Sequence, residues 1–340
     1  MTLAGGCGIE TWTVVQDGRH NAFTDLAFWR SSFWLAYISS PTHFFSRRSR
    51  VVILRSRDAR AWRPAACLDG DGEDIRDPKL AVVGDRLVLV ALLNRRFDPQ
   101  PYRTVTAASA DGRTWSPRAL AAPAGWLLGR PKLAADGAWY APAHNLVDGA
   151  VKLFASADGL AWEAHAAIAR GDGADETAIE PLPDGRLLAV TRLEAGGGLG
   201  GHPRAGTLIS AAAPPYTTWS PLGCSRLTRL DGPALFAYGD RVFAAGRFQP
   251  RVAGPIWWSG SVLSRKRTSL FALRGGRLTR VADLPSAGDT SYPGVVTRDG
   301  QAFISYYTSP PRRDGSWLTA MFLPTSIRMA AVPLDLPAAL

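Results

Sequence analysis

Cysteine is scarce in this chain: three residues among 340, far apart at Cys7, Cys67 and Cys224. An odd, scattered set excludes a disulfide framework, and no His/Cys/Asp cluster has the spacing of a metal site. Reduced thiols, a cytoplasmic location and no bound metal are the expectations. Long apolar runs are missing too. No stretch reaches the roughly 18 residues of a membrane helix, so no membrane partner is expected. The opening segment, Met1 to Gly8, has neither a basic region nor a long apolar stretch and does not read as a secretion signal.

Lysine-rich runs are also absent. The formal charge is nevertheless +10, carried mostly by arginine, with one dense cluster at Arg47-Arg48-Ser49-Arg50. Without an RNA- or DNA-binding motif, that balance does not predict a nucleic-acid partner. A solvated loop edge and a coding bias toward arginine are the plain explanations. The specific one is that some arginines converge on an anionic ligand.

What is present is repetition. Ser56-Arg-Asp58-Ala-Arg-Ala-Trp62, Ser109-Ala-Asp111-Gly-Arg-Thr-Trp115 and Ser156-Ala-Asp158-Gly-Leu-Ala-Trp162 are copies of one motif, with a worn fourth from Ser210 to Trp219. A period near 50 residues marks repeated supersecondary units, here the blades of a propeller. The motif suits a hairpin tip: Asp accepts turn amides, Gly takes a positive φ, and Trp packs beneath. The 34 glycines and 25 prolines are spread through the chain, as many short strands and turns require. Length alone allows two domains, but a closed propeller makes residues 1–340 one body.

The pattern gives an all-β, six-bladed propeller of four-stranded antiparallel blades. Blade one is expected from Phe23 to Leu68, blade two from Ile75 to Ala121, and blade three from Leu127 to Ala169. Blade four should run from Glu176 to Cys224, blade five from Asp231 to Val281, and blade six from Ser291 to Val332. Gly84-Asp85, Asp136-Gly137, Asp184-Gly185, Gly239-Asp240 and Asp299-Gly300 read as the first hairpin turns of blades two to six. Ile9–Val15 is a spare strand, expected to complete blade six and close the ring, because closure removes an exposed edge.

First strands of a propeller line its axis, where ligands bind. Here their starts are polar: His20 and Asp25, Arg76 and Asp77, Arg130, Glu176, Asp231, and Asp289 to Tyr292. Second-strand ends add His144, Arg192 and Arg247. Any one of these is an ordinary ion pair at a strand end; the set, recurring at one height, points to a binding funnel.

The Ser-x-Asp-x-Gly-x-Thr-Trp pattern resembles the Asp-box of the sialidase superfamily. The stretch from Glu176 to Arg192 resembles the sialidase segment Glu-x-x-x-x-Glu-Leu-x-x-Gly-x-Leu-Leu-x-x-x-Arg, and Ser291-Tyr292-Pro293 resembles the strand that carries the sialidase nucleophile. The resemblance implies a glycosidase-type hydrolase of an anionic, carboxylated sugar. It implies that Glu176 activates Tyr292 and that Arg192 belongs to a carboxylate clamp. Arg267, at a third-strand start, and Arg247 compete for a second clamp position, and Arg76 and Arg130 can supply charge from other blades. Asp25, Asp77, Asp231 and His144 complete the expected binding set. A tyrosine suits an anionic substrate, which would repel a carboxylate nucleophile. The chain departs from the family where Asn21–Asp25 lacks the first clamp arginine and Ser39–Phe45 lacks the acid/base aspartate.

His20 and His43 flank the first hairpin of blade one and support a different reading. Their spacing resembles propeller polysaccharide lyases, in which a histidine or tyrosine takes the proton beside a uronic carboxylate that an arginine neutralises. A non-catalytic glycan-binding propeller is the third reading. In each, the partner is a small-molecule or oligosaccharide substrate, the chain is a monomer, and no cofactor is needed. The glycine-rich run Ala195–His202 follows a strand but precedes no helix, which excludes a phosphate loop. It reads as a mobile loop at the funnel mouth.

Overall fold

The computed structural model describes residues 8–335 except 99 and 251–257, so Cys7 lies outside the described residues. Six antiparallel sheets form six blades. Blade one comprises His20–Trp29, Ser32–Ser40, Arg50–Ser56 and Arg63–Asp69, in that order from the axis outward. Blade two is built from Asp74–Val83, Arg86–Asn94, Arg103–Ser109 and Ala119–Leu120. Blade four comprises Ala174–Pro181, Leu187–Leu193, Gly206–Ala212 and Ser220–Ser225; blade five comprises Asp231–Tyr238, Arg241–Phe248, Arg267–Arg274 and Arg277–Leu284. Every expected blade start falls within three residues of the observed one.

Blade three departs from the regular pattern. Its inner strand is split into Leu127–Leu128 and Lys132–Leu133, both paired with Trp139–Asn145. Gly129 N extends the first pairing by one rung to Pro142 O at 2.7 Å, and the ladder breaks beyond it, where Pro131 has no amide to donate.

The ring closes as the sequence predicts. Glu10–Val15 pairs antiparallel with Ser326–Pro333, outermost in the sheet that also holds Thr290–Arg298 and Gln301–Thr308. Inner strands are buried on both faces: Ser32–Ser40 is buried at every position, whereas the outer Arg63–Asp69 has no buried residue. Apolar side chains of neighbouring blades interlock into clusters that fill the space between sheets.

The repeated turns fasten blade to blade. In each, the aspartate Oδ1 accepts amides two and three residues on, as Asp111 does from Arg113 N and Thr114 N at 2.7 Å each. Gly112, at φ 74°, lies so close to Trp34 of blade one that a Cβ would sit 2.1 Å from the indole. Gly159 seats on Val83 of blade two in the same way. The closing strand makes the equivalent latch for blade one, Trp12 Nε1 donating to Ala59 O at 2.9 Å. In the worn copy, Tyr216 takes φ 65° and packs on Tyr140 of blade three.

The glycine-rich loop is not free as expected. Val262 N bonds Leu199 O and His202 N bonds Ser259 O, at 2.9 and 3.1 Å, which pins the loop to its neighbour.

Candidate active site in the axial funnel

Five inner strands carry one extra residue at the same level. The register shifts lie between Ala22 and Asp25, Arg76 and Lys79, Ala174 and Thr177, Asp231 and Ala234, and Ser291 and Gly294. A bulge of this kind bends a strand and re-aims its side chain. In four of the blades the bulged residue lies in the left-handed region: Phe23, Asp77, Gly232 and Tyr292, at φ 54°, 51°, 54° and 47°. Glycine enters that region freely and aspartate at small cost, but Phe23 and Tyr292 are held there by their surroundings. Blade four places Asp175-Glu176 at the bulge.

Tyr292 Oη donates to Glu176 Oε1 at 2.5 Å. Glu176 Oε2 accepts Gly232 N at 2.6 Å and lies 2.9 Å from Arg192 Nη1. Burial opposes ionisation of Glu176, yet Arg192, Tyr292 and the Gly232 amide hold its carboxyl below the usual value. Burial, then the Glu176 charge, pushes Tyr292 well above the ordinary phenol value. The pair therefore rests as a neutral phenol on a carboxylate. Gly232 is required at its place: a Cβ would stand 2.7 Å from the Tyr292 ring.

The arginines are committed to the protein. Arg192 grips Asp175 through Nε and Nη2 at 2.7 and 2.6 Å. Arg247, almost fully buried, donates to Thr290 O, Asp289 Oδ1 and Tyr307 Oη, and lies 5.0 Å above the Tyr292 ring. Asp231 is held bidentately by Arg229, with Arg192 and Arg247 at 3.6 and 3.5 Å. Burial opposes its charge, but these three cations keep Asp231 ionised far below the usual range.

Three expectations are corrected. Arg267 is no clamp residue, because Asp314 binds both its terminal nitrogens at 2.7 and 2.6 Å; Arg247 takes the place beside Tyr292. Asp25 is a buried tie rather than a ligand contact, accepting Leu26 N, Leu80 N and the Arg130 guanidinium. Arg76 binds Asp74 and the carbonyls of His43 and Phe44, so it props the blade-one loop and does not line the cavity.

His20 and His43 meet at Asp289, as their spacing alone could not show. His43 Nδ1 lies 2.6 Å and His20 Nε2 3.2 Å from Asp289 Oδ2, and His20 Nδ1 bonds Leu323 O at 2.8 Å. Asp289 Oδ1 accepts from Tyr307 Oη and Trp317 Nε1, both at 2.9 Å. Burial lowers His43 below its ordinary value despite the carboxylate beside it. The three side chains are near enough to share a cation, but Arg247 already neutralises Asp289.

A cavity of about 70 Å³ opens on the axis, lined by Asp77, Lys79, Arg130, His144, Glu176 and Tyr292 with apolar neighbours. Burial pushes His144 down to about 4, so it is neutral. The sequence places Lys79 and Asp289 among the polar strand starts but assigns neither a role in the site. Lys79 makes no ion pair among the described residues; its Nζ reaches only Pro78 O, at 3.4 Å.

The fold is a six-bladed propeller of antiparallel sheets, as in sialidases. Among solved structures the chain is similar to the Trypanosoma rangeli sialidase in complex with sialic acid, at 12% identity and a TM-score of 0.67, over 97% of this chain and 59% of that one. It is similar to the Hadza microbial sialidase Hz136, at 17% identity and a TM-score of 0.61, over 93% and 66% of the two chains. A protein of unknown function from Dyadobacter fermentans matches with 17% identity and a TM-score of 0.67, over 96% and 99%. No family model and no curated protein matches the sequence. The likeness is one of fold, and this chain spans 59% of the length of the T. rangeli chain. No helix among the described residues is long and apolar enough to cross a membrane.

Proposed function

We propose that the chain is a retaining glycosidase acting on a carboxylated sugar, with Tyr292 as nucleophile and Glu176 as its base. The observation that carries the reading is the 2.5 Å hydrogen bond from Tyr292 to Glu176 at the wall of the axial cavity. A phenol is a weak nucleophile until a neighbouring base takes its proton during attack. Glu176, kept ionised by Arg192, is placed to do this. Gly232 N and Arg192 then hold the protonated Glu176 in position.

Among the described residues that line the cavity, Lys79 is the basic side chain without an acidic partner and so the one to meet the substrate carboxylate, because Arg130 is paired with Asp25, as Arg192 and Arg247 behind it are paired with acids of their own. Those arginines set the field around Tyr292 and Glu176 rather than forming an open clamp. The substrate would be a small molecule or the end of an oligosaccharide, entering a monomer. Incubation with an activated fluorosugar of an acidic series should add one glycosyl mass to the peptide containing Tyr292. Failure of every acidic and neutral fluorosugar to label Tyr292 would overturn the reading.

One observation favours a second reading. Burial favours the neutral form of His43, and its Nδ1 lies 2.6 Å from Asp289 Oδ2, which leaves Nε2 as a base for proton abstraction beside a uronic carboxylate. That lyase would release an unsaturated, ultraviolet-absorbing product; a glycosidase releases none.

A further inference from the structure

Cleavage of a glycosidic bond with a poor leaving group needs a proton donor as well as a nucleophile. The blade-one loop that could supply one, Ser39–Phe45, contains no carboxylate. Its histidine, His43, is tied to Asp289 and does not line the cavity. His144 lines the cavity but is neutral, with no proton to spare at ordinary pH. The donor must come from elsewhere in the funnel.

We propose that Asp77 of blade two is the general acid and base of this site, an assignment that rests on the glycosidase reading above. Asp77 occupies the bulge position of its strand that Tyr292 occupies in blade six. Both residues are held at positive φ, and both line the same cavity with Glu176. Asp77 makes no hydrogen bond and no ion pair among the described residues, whereas Asp25, Asp175, Asp231 and Asp289 are all bound several times over. An unpartnered carboxyl at a cavity wall adds no hydrogen bond or ion pair to the fold.

Its surroundings favour a proton. Burial raises Asp77 above the ordinary carboxyl value, and Glu176 across the cavity adds to this. Lys79 and Arg76 on its own strand and His43 of blade one oppose the shift without cancelling it. Tyr102 and His144, the remaining titratable groups facing it, are neutral. Asp77 is thus matched to give up a proton, while Glu176 is matched to receive one.

The steps balance. Tyr292 Oη bonds to the anomeric carbon as its proton passes to Glu176. The glycosidic C–O bond breaks and the leaving oxygen takes the Asp77 proton. Water then attacks the anomeric carbon and loses a proton to the Asp77 carboxylate, and Tyr292 leaves with the proton returned by Glu176.

The test compares two glycosides of one carboxylated sugar, with a nitrophenyl and an alkyl leaving group. Asp77→Asn is isosteric, and Asn tolerates the left-handed region, so the backbone is kept. Hydrolysis of the alkyl glycoside should fall by about 10²–10⁴-fold. Glycosylation by the nitrophenyl glycoside should be nearly unchanged, azide should restore its turnover as glycosyl azide, and the alkaline limb of kcat/KM should vanish. Should Asp77→Asn fail to accumulate, Asp77→Gly relieves the backbone and gives the same readouts. Equal loss on both leaving groups, or an unaltered alkaline limb, overturns the assignment. Tyr292→Phe separates the two levels. If it abolishes turnover while Asp77→Asn hydrolyses both glycosides like the parent, only the Asp77 assignment falls. If the parent cleaves neither glycoside of any acidic sugar, both fall.

Discussion

The outer turns and the axial bulges both interrupt regular strand, and they do so in opposite ways. The outer turns solve one problem identically each time. Asp58, Asp111 and Asp158 are exposed, each accepts the amides two and three residues on, and each serine bonds the aspartate. Those amides hold Asp58 and Asp111 down at about 2. The bulges share a backbone irregularity but carry Phe23, Asp77, Glu176, Gly232 and Tyr292 in turn. There the charges are buried, and burial is the leading influence on each titratable member. Local satisfaction repeats because it depends only on the turn. Chemistry does not repeat, because each blade contributes a different group to one cavity.

The sharpest way to break this contrast is Tyr292→Phe. Turnover should fall by about 10³-fold or more, as expected when an acting group of the site is lost. Thermal stability should hardly change, since Glu176 keeps Arg192 and Gly232 N. A variant that retains turnover would make the bulge level as structural as the turns. Next in size is a matched pair of glycine substitutions. Gly232→Ala drives a methyl into the Tyr292 ring, and Gly112→Ala drives one into Trp34. Both should lower Tm. Only Gly232→Ala should lower kcat, by about 10²-fold, the cost of misplacing a reacting group by an ångström. Equal kinetic losses would erase the distinction between the two levels.

Most of the fold was legible because it rests on local chemistry. The aspartates of the repeat fix the turns, the Gly-Asp and Asp-Gly pairs fix the first hairpins, and Ile9–Val15 had no other partner than the last blade. The split inner strand of blade three was less visible, although Pro131 carried the signal. In the funnel, Tyr292 and Glu176 could be paired from sequence because each lies in a recognisable strand. The fate of the arginines could not be read. Whether Arg267 meets a substrate or Asp314 depends on a loop 47 residues away, and no periodicity encodes that. The meeting of His20 and His43 at Asp289 likewise spans blades one and six.

A smaller effect separates the bulge aspartate from the turn aspartates by sign. Asp77 has a raised folded value, caused first by burial. Its ionised form is therefore disfavoured by folding, and stability falls as pH rises from the unfolded value, about 3.9, through the raised one. Asp77→Asn removes that penalty. The variant should match the parent in Tm near pH 3.5 and exceed it by a few degrees at pH 7. A parent that stays the more stable at pH 7 would place Asp77 among the structural carboxylates.

The smallest effect runs the other way at the turns. The Asp111 carboxyl is lowered to about 2 by the amides of Thr114 and Arg113. A depressed carboxyl contributes stability above its unfolded value of about 3.9, and that contribution is lost as pH falls toward 2. Asp111→Asn keeps an acceptor oxygen for both amides but gives up the charge that strengthens those bonds. Because the group is exposed, solvent screens most of the difference. Tm should drop by about a degree at pH 7 and not at all near pH 2, with kinetics unchanged at every pH. Thermal melts across that range check it. A kinetic change from Asp111→Asn would mean that the outer turns reach the cavity, and the separation between latch and chemistry would fail.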